Sequence, residues 1–157
     1  MIVLPFRYAG IFEITDYVET ILRQYRQRPS QNEMGGVLTG WLRDNDGHFV
    51  VSNLSLPSSE HKAGKTWFQL NQKVAQTYVN YVFQTSGGKV DLCGFWHTHP
   101  EPDPNPSPQD HRVISDLFRN GRLNIKFQLG LIVGDTGKIC AWVQGKRGHC
   151  EQVFPNF

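Results

Sequence analysis

Three side chains of the types that bind zinc lie in one short segment. Residues 97–110 read His-Thr-His-Pro-Glu-Pro-Asp-Pro-Asn-Pro-Ser-Pro-Gln-Asp. The apolar run before them predicts a strand, and alternate strand side chains share a face, so His97 and His99 should lie about 6–7 Å apart on one side. Two imidazoles at that separation can converge on one ion at Zn–N distances of about 2 Å, and Asp110 can add a carboxylate oxygen. Three protein ligands with an open fourth position are typical of catalytic zinc sites.

The predicted helix after this segment positions Asp110. Ser107 is a typical N-cap and Pro108 suits the first helical position. Asp110 precedes Val113 by three residues and therefore shares the helix face that points toward the sheet. The helix is predicted to run through Phe118 and to end at 120–121. Alternate prolines from 100 to 108 stiffen the connection, because each restricts its own backbone and the preceding residue.

The pattern His-x-His, seven residues, Ser, two residues, Asp resembles that of the JAMM metalloproteases, also called MPN-plus or JAB-domain proteins. His97, His99, Ser107 and Asp110 match it, and Glu33 matches the upstream glutamate of that family. The resemblance implies an α+β, JAMM/MPN-like fold, similar to that of cytidine deaminases. In this fold a mixed β-sheet is flanked by three helices.

The resemblance also implies a role for each of the five residues. His97, His99 and Asp110 would hold one zinc ion per chain. Glu33 would be the general base and acid, bonding the zinc-bound water without ligating the metal, whereas taken alone it is a surface acid in a loop. Ser107 would support the oxyanion, and we rank that role above the helix cap, which the sequence equally allows.

Neighbouring polar residues of the segment have plainer expectations. Thr98 faces away from the two histidines and is expected to be structural. Glu101 and Asp103 are interpreted as solvated loop acids. His111 is adjacent to Asp110 but off the apolar stripe, so we do not count it as a ligand.

Length, charge and cysteine content limit the class of protein. The 157 residues predict a single domain, 1–157. The net charge of +2 gives no reason to expect nucleic-acid binding. Three cysteines without a C-x-x-C pair favour a reducing, cytoplasmic location. The apolar first six residues predict a strand, not a signal peptide or membrane anchor, and the oligomeric state stays open.

Apolar periodicity and turn residues predict the other elements. The order is strand, helix, two strands, helix, strand, helix and two or three strands. The first helix carries a stripe from Ile14 to Tyr25, the second is capped by Asn71, and 44–47 and 134–137 form turns. The predicted strands are Ile2–Phe6, Gly35–Leu42, His48–Leu54, 90–96, Phe127–Val133, 138–143 and 149–154.

The implied activity is hydrolysis of amide bonds, most often the isopeptide bond between a ubiquitin-like tail and a protein lysine. The compact chain resembles bacterial JAB deconjugases of CBASS antiphage operons, which release a cGAS-like nucleotidyltransferase from its conjugates. A polar loop at 57–67 is expected to flank the groove for the tail. The alternatives are a peptidase that processes sulfur-carrier proteins and a non-catalytic MPN scaffold, which usually lacks motif residues that are all present here.

Overall fold

The computed structural model describes residues 1–43, 47–118 and 126–153. In them, three helices pack against an eight-stranded mixed sheet, which confirms the predicted fold class. The strands are β1 (Ile2–Phe6), β2 (Gly10–Ile14), β3 (Gly35–Leu42), β4 (His48–Leu54), β5 (Lys62–Ala63), β6 (Phe68–Gln69), β7 (Asp91–Thr98), β8 (Phe127–Val133), β9 (Ile139–Gly145) and β10 (Cys150–Val153). The helices are α1 (Asp16–Gln24), α2 (Gln72–Thr85) and α3 (Pro108–Leu117).

The strand that carries the histidines lies in the middle of the sheet. The order is β1-β2-β4-β3-β7-β8-β9-β10, with β7 antiparallel to β3 and parallel to β8. All eight residues of β7 are buried. A Cβ at Gly35 would lie 2.8 Å from the Cβ of His97, so glycine lets β3 pack closely beside the first histidine.

Each face of the sheet has its own apolar core. Val18 and Leu22 of α1 pack on one face. On the other face, α2 and α3 contribute Val79, Ile114 and Leu117 to a second cluster. The helices hold the sheet rigid from both sides, and α3 brings its first turn to the end of β7.

Several predicted elements need correction. Ile14 ends β2, a strand that we did not predict, and α1 begins at Asp16 with Thr15 as its N-cap. The helical interpretation was wrong there because Ile14 and Val18 are both buried and four residues apart, which imitates a helix stripe. The predicted loop at 57–67 contains β5, which pairs with β6 in a short hairpin.

The other predicted bounds agree closely with the structure. Asn71 caps α2 by accepting a hydrogen bond from the Val74 amide at 3.1 Å. The turn at 44–46, the helix end at 120–121 and the last residue of the final predicted strand lie outside the described residues. None of the helices in the described ranges has the length and apolar character needed to span a membrane.

Candidate metal centre and active site

Side chains from β7 and α3 converge at the end of the sheet. The Nε2 atoms of His97 and His99 lie 3.0 Å apart. Asp110 Oδ1 is 3.0 Å from Nε2 of His97, and Oδ2 is 3.3 Å from Nε2 of His99. All three residues are buried, with 0 %, 6 % and 3 % of their surface exposed. The structure therefore brings together the three predicted zinc ligands.

This arrangement fits a zinc ion. With ligand bonds of about 2.0–2.1 Å, the atoms of a tetrahedral site lie about 3.3 Å from one another. The distances among His97, His99 and Asp110 are close to that value, and two imidazoles with a carboxylate suit zinc chemically. Nδ1 of His97 has no hydrogen-bond partner among the described residues, since the ring lies near Phe95 and Phe68.

The protonation preferences of His97 and Asp110 suit metal binding, whereas that of His99 opposes it. Burial lowers the pKa of His97, although its hydrogen bond to Asp110 opposes this. Burial acts to lower the pKa of His99 as well, but the bond to Asp110 and the charge of Glu33 outweigh it and raise the pKa. Burial acts to raise the pKa of Asp110, but the two histidines outweigh it and hold the pKa well below its usual range. A charged carboxylate and a neutral imidazole are the forms that ligate metals, so His99 must release its proton when a metal binds.

Glu33 lies beside this cluster, at the entry to β3. Its Oε1 is 3.7 Å from Nε2 of His99, farther than either oxygen contact of Asp110. Glu33, His97 and His99 offer ligand atoms within 4.8 Å of one another, so Glu33 could also ligate a metal. We prefer Asp110 as third ligand because its oxygens are nearer to both histidines.

The Glu33 carboxyl is in an environment that favours its neutral form. Burial raises its pKa from 4.5 to about 8. The charge of His99 opposes this shift, and the charges of Asp110 and Glu101 add to it. A carboxyl tuned in this way is suited to taking up and releasing a proton near neutral pH.

Ser107 and Asp110 form a reciprocal capping box at the start of α3. The Asp110 amide donates to Oγ of Ser107 at 3.2 Å, and the Ser107 amide donates to Oδ2 of Asp110 at 2.7 Å. The predicted cap is thus present. A hydroxyl can accept one bond and donate another, so capping leaves the Ser107 proton available to a substrate oxygen. The cap and the oxyanion role are compatible.

Glu101 contacts the candidate metal centre through His99, which the interpretation as a solvated loop acid does not include. Its Oε2 lies 3.3 Å from Nδ1 of His99. When Nδ1–H donates a hydrogen bond to this carboxylate, Nε2 is the unprotonated nitrogen and is free for a metal. The Glu101 carbonyl also accepts a bond from the Asp135 amide at 3.0 Å, which fixes this part of the proline segment to the β8–β9 turn.

A buried polar network that the sequence did not reveal supports Glu33. Gln27, just beyond α1, donates through Nε2 to the carbonyls of Gln31 and Lys65, each at 2.8 Å. Its Oε1 accepts from Oγ1 of Thr98 at 3.3 Å. Oγ1 of Thr98 accepts from the Met34 amide at 3.0 Å. The structural role expected for Thr98 is thereby confirmed.

This network joins three segments that surround Glu33. Gln27 links the residues before β3, the β5–β6 hairpin and the strand of the histidines. The Glu33 amide itself donates to the Gly64 carbonyl at 2.8 Å. No motif marks Gln27, which stands between two arginines and resembles an exposed helix end; only its burial identifies it.

The family of the chain follows from comparison with known proteins. The profile described as prokaryotic homologs of the JAB domain matches residues 15–149. The chain belongs to this JAB family. The match includes all five residues of the candidate site, from Glu33 to Asp110.

Two further similarities accompany this JAB assignment. A protein of Escherichia coli named CD-NTase/cGAS isopeptidase is 37 % identical over 80 residues, which is 50 % of this chain and 50 % of that protein. The chain thus aligns with about half the length of this curated relative. The solution structure of a protein from Desulfitobacterium hafniense matches 91 % of this chain and 90 % of its own, with a TM-score of 0.59 and 20 % identity, which supports the fold alone.

Proposed function

We propose that this JAB protein is a zinc-dependent isopeptidase that removes a target from a ubiquitin-like conjugate. The observation that carries the proposal is the convergence of Glu33, His97, His99 and Asp110 at one end of the sheet. His97 and His99 would bind the metal through Nε2, and Asp110 through a carboxylate oxygen. A bound zinc ion would supply a water whose pKa is near 7.

Glu33 performs the proton transfers in this proposal. Its carboxylate takes a proton from the attacking water and delivers it to the nitrogen of the leaving lysine, which makes the amine a competent leaving group. Its raised pKa keeps proton uptake and release accessible at neutral pH. Burial excludes bulk water, and the Gly64 carbonyl holds the Glu33 backbone in place.

Ser107 and Glu101 assist in different ways. The Ser107 hydroxyl donates to the oxygen that becomes negative as the carbonyl is attacked, a contact of the kind whose loss costs about a hundredfold or more in rate. Glu101 orients the imidazole of His99 through Nδ1 and so acts as a positioning residue.

The proposed substrate joins a ubiquitin-like C-terminal tail to a lysine of a cGAS-like nucleotidyltransferase. The name of the E. coli relative supports this substrate. We further propose that the protein acts in CBASS antiviral defence in the cytoplasm. Trp67 is 42 % exposed beside Gly64 in the β5–β6 hairpin, where an extended tail could pass. We expect Trp67→Ala to raise KM with little change in kcat.

A point substitution tests the hairpin better than a deletion does. Removing residues 59–64 would also remove the Gly64 carbonyl that holds the Glu33 amide, so its effect would mix substrate binding with catalysis. Tyr81, an exposed aromatic residue on α2, offers a matched control as Tyr81→Ala. An unchanged KM in Trp67→Ala would place the tail elsewhere.

The substrate is tested in the native host with the neighbouring genes intact. Strains carry the wild-type protein, Glu33→Ala, or Glu60→Ala as a control at an exposed glutamate. Covalent conjugates are identified by mass spectrometry of branched peptides. Conjugates on a nucleotidyltransferase lysine should accumulate only with Glu33→Ala. Accumulation of an uncleaved sulfur carrier would favour the carrier peptidase, and no difference between strains would favour the scaffold.

A further inference from the structure

A cleft of about 770 Å³ lies at the end of the sheet opposite the metal centre. Phe127 in β8 borders it, and Ile132, five residues further, pairs with His97. About 17 Å therefore separate the two sites along the strand. The volume is usual for a small-molecule site. The lining comes from the β1–β2 turn, the start of β8 and the β9–β10 turn, and comprises Tyr8, Lys126, Phe127, Gly145, Lys146, Arg147 and His149.

The cleft is largely apolar, and three basic side chains stand around it. These are Lys126, Lys146 and Arg147, and no acidic residue lines the cleft in the part of the chain that the structure describes. Glu151, next to the cleft, accepts hydrogen bonds from the amides of Arg7 and Tyr8 at 3.0 and 3.1 Å. In the described ranges, the three lining cations have no ion-pair partner. The chain's net charge of +2 conceals this local excess, which an anionic ligand would neutralise.

Backbone hydrogen bonds shape the β9–β10 turn that carries two of these cations. The Gly145 amide donates to the His149 carbonyl at 2.8 Å, and the Gly148 amide donates to the Gly145 carbonyl at 2.9 Å. Gly148 has a φ of +90°, which favours glycine and closes the turn. The Lys146 amide reaches the Lys126 carbonyl at 3.4 Å, so two of the basic residues meet at one rim.

Aromatic rings form the other wall. The rings of Tyr8 and His149 meet edge to face, with centroids 5.0 Å apart. The guanidinium of Arg7 lies 5.1 Å from the centre of the Tyr8 ring. Tyr8 is 58 % exposed, which leaves ring surface available to a planar ligand. The cleft thus offers phosphate-binding cations next to a stacking surface.

We propose that this cleft binds a nucleotide that carries two or more phosphate groups. The phosphates contact Lys126, Lys146 and Arg147, with the planar fork of the arginine suited to two phosphate oxygens. The base stacks against the exposed ring of Tyr8. This proposal does not depend on the isopeptidase activity, because binding is measured directly.

The test is calorimetric titration of the zinc-loaded protein with ATP at low salt. Lys146→Ala combined with Arg147→Ala should weaken binding at least tenfold, and Tyr8→Leu about threefold or more. Arg26→Ala combined with Lys73→Ala removes the same charge from exposed positions elsewhere and should leave binding within twofold. Adenosine and pyrophosphate should each bind at least tenfold more weakly than ATP.

Four other results of these titrations would each overturn the proposal. Absence of ATP binding refutes the site. ATP binding that the Lys146 and Arg147 replacements leave unchanged would place the ligand elsewhere, for example on the zinc ion. Equal binding of pyrophosphate and ATP, unaffected by Tyr8→Leu, would make this a simple anion site. Much tighter binding of a ten-residue thymidine oligonucleotide would make it a nucleic-acid surface.

Discussion

Replacing Glu33 with glutamine should stabilise the metal-free protein at neutral pH while it abolishes activity. The pKa of Glu33 is raised from 4.5 to about 8 in the folded protein, chiefly by burial. Folding therefore favours the protonated side chain. The contribution of the protonated carboxyl to the stability of the folded protein is fully present below pH 4.5. It is lost as the pH rises toward 8. Glutamine imitates the neutral form at every pH.

The size of the effect follows from the width of that window. Each pH unit corresponds to about 1.4 kcal/mol, so the ceiling at pH 7 is about 3 kcal/mol. Water that enters the metal-free site and an incompletely bonded amide reduce this value. We expect Glu33→Gln to increase the free energy of unfolding at pH 7 by about 1–2 kcal/mol.

The assay is urea unfolding of EDTA-treated proteins at pH 4.5, 6, 7 and 8. The difference between Glu33→Gln and the wild type should be small at pH 4.5 and should grow up to pH 8. Glu60→Gln, at an exposed position, should follow the wild type throughout. A difference that is absent, reversed or independent of pH would show that the environment of Glu33 does not disfavour its charge.

Substitutions at three other positions separate the roles of residues around the site. Ser107→Ala should lower kcat about a hundredfold and reduce the free energy of unfolding by about 1 kcal/mol. Ser107→Thr should keep most of the activity and most of the stability. Rate measurements and urea unfolding would test these two effects. Glu101→Gln should weaken zinc binding about tenfold in a chelator competition, and an unchanged affinity would mean that the Nδ1 contact of His99 is unimportant. Gln27→Met should lower kcat at least tenfold because Glu33 is misplaced, and the variant should still bind one zinc per chain. Full activity of this variant would contradict the positioning role of Gln27.

The candidate metal centre could be predicted because the three proposed ligands are close in sequence. The strand period places His97 and His99 on one side, and the Ser107 cap fixes where α3 begins, so Asp110 falls in the first turn. Glu33 lies more than sixty residues upstream, and no local pattern distinguishes it from a surface acid. Only the family resemblance indicated it, and the pairing of Gly35 with His97 explains its position.

What the sequence missed depends on contacts between distant segments. Gln27 meets Thr98 and Lys65 only after α1, β7 and the β5–β6 hairpin have packed together. The cleft with the three basic residues likewise combines residues from the two ends of the chain. The net charge of the chain cannot reveal such a local cluster. Periodicity identified the buried faces of α1 and α3, but it did not identify that of α2, where Ala75 and Val79 are buried and Tyr81 is exposed. It also could not tell the end of β2 from the start of α1.

The most direct test of the central claim is cleavage of conjugates isolated from the host strain that carries Glu33→Ala. Purified wild-type protein would be added either zinc-loaded or after treatment with EDTA, and the products would be resolved by mass spectrometry. The account predicts that the zinc-loaded protein releases the target with an unmodified lysine, and that EDTA stops this until zinc is restored. Conjugates that survive the zinc-loaded enzyme, or cleavage that persists without metal, would contradict it.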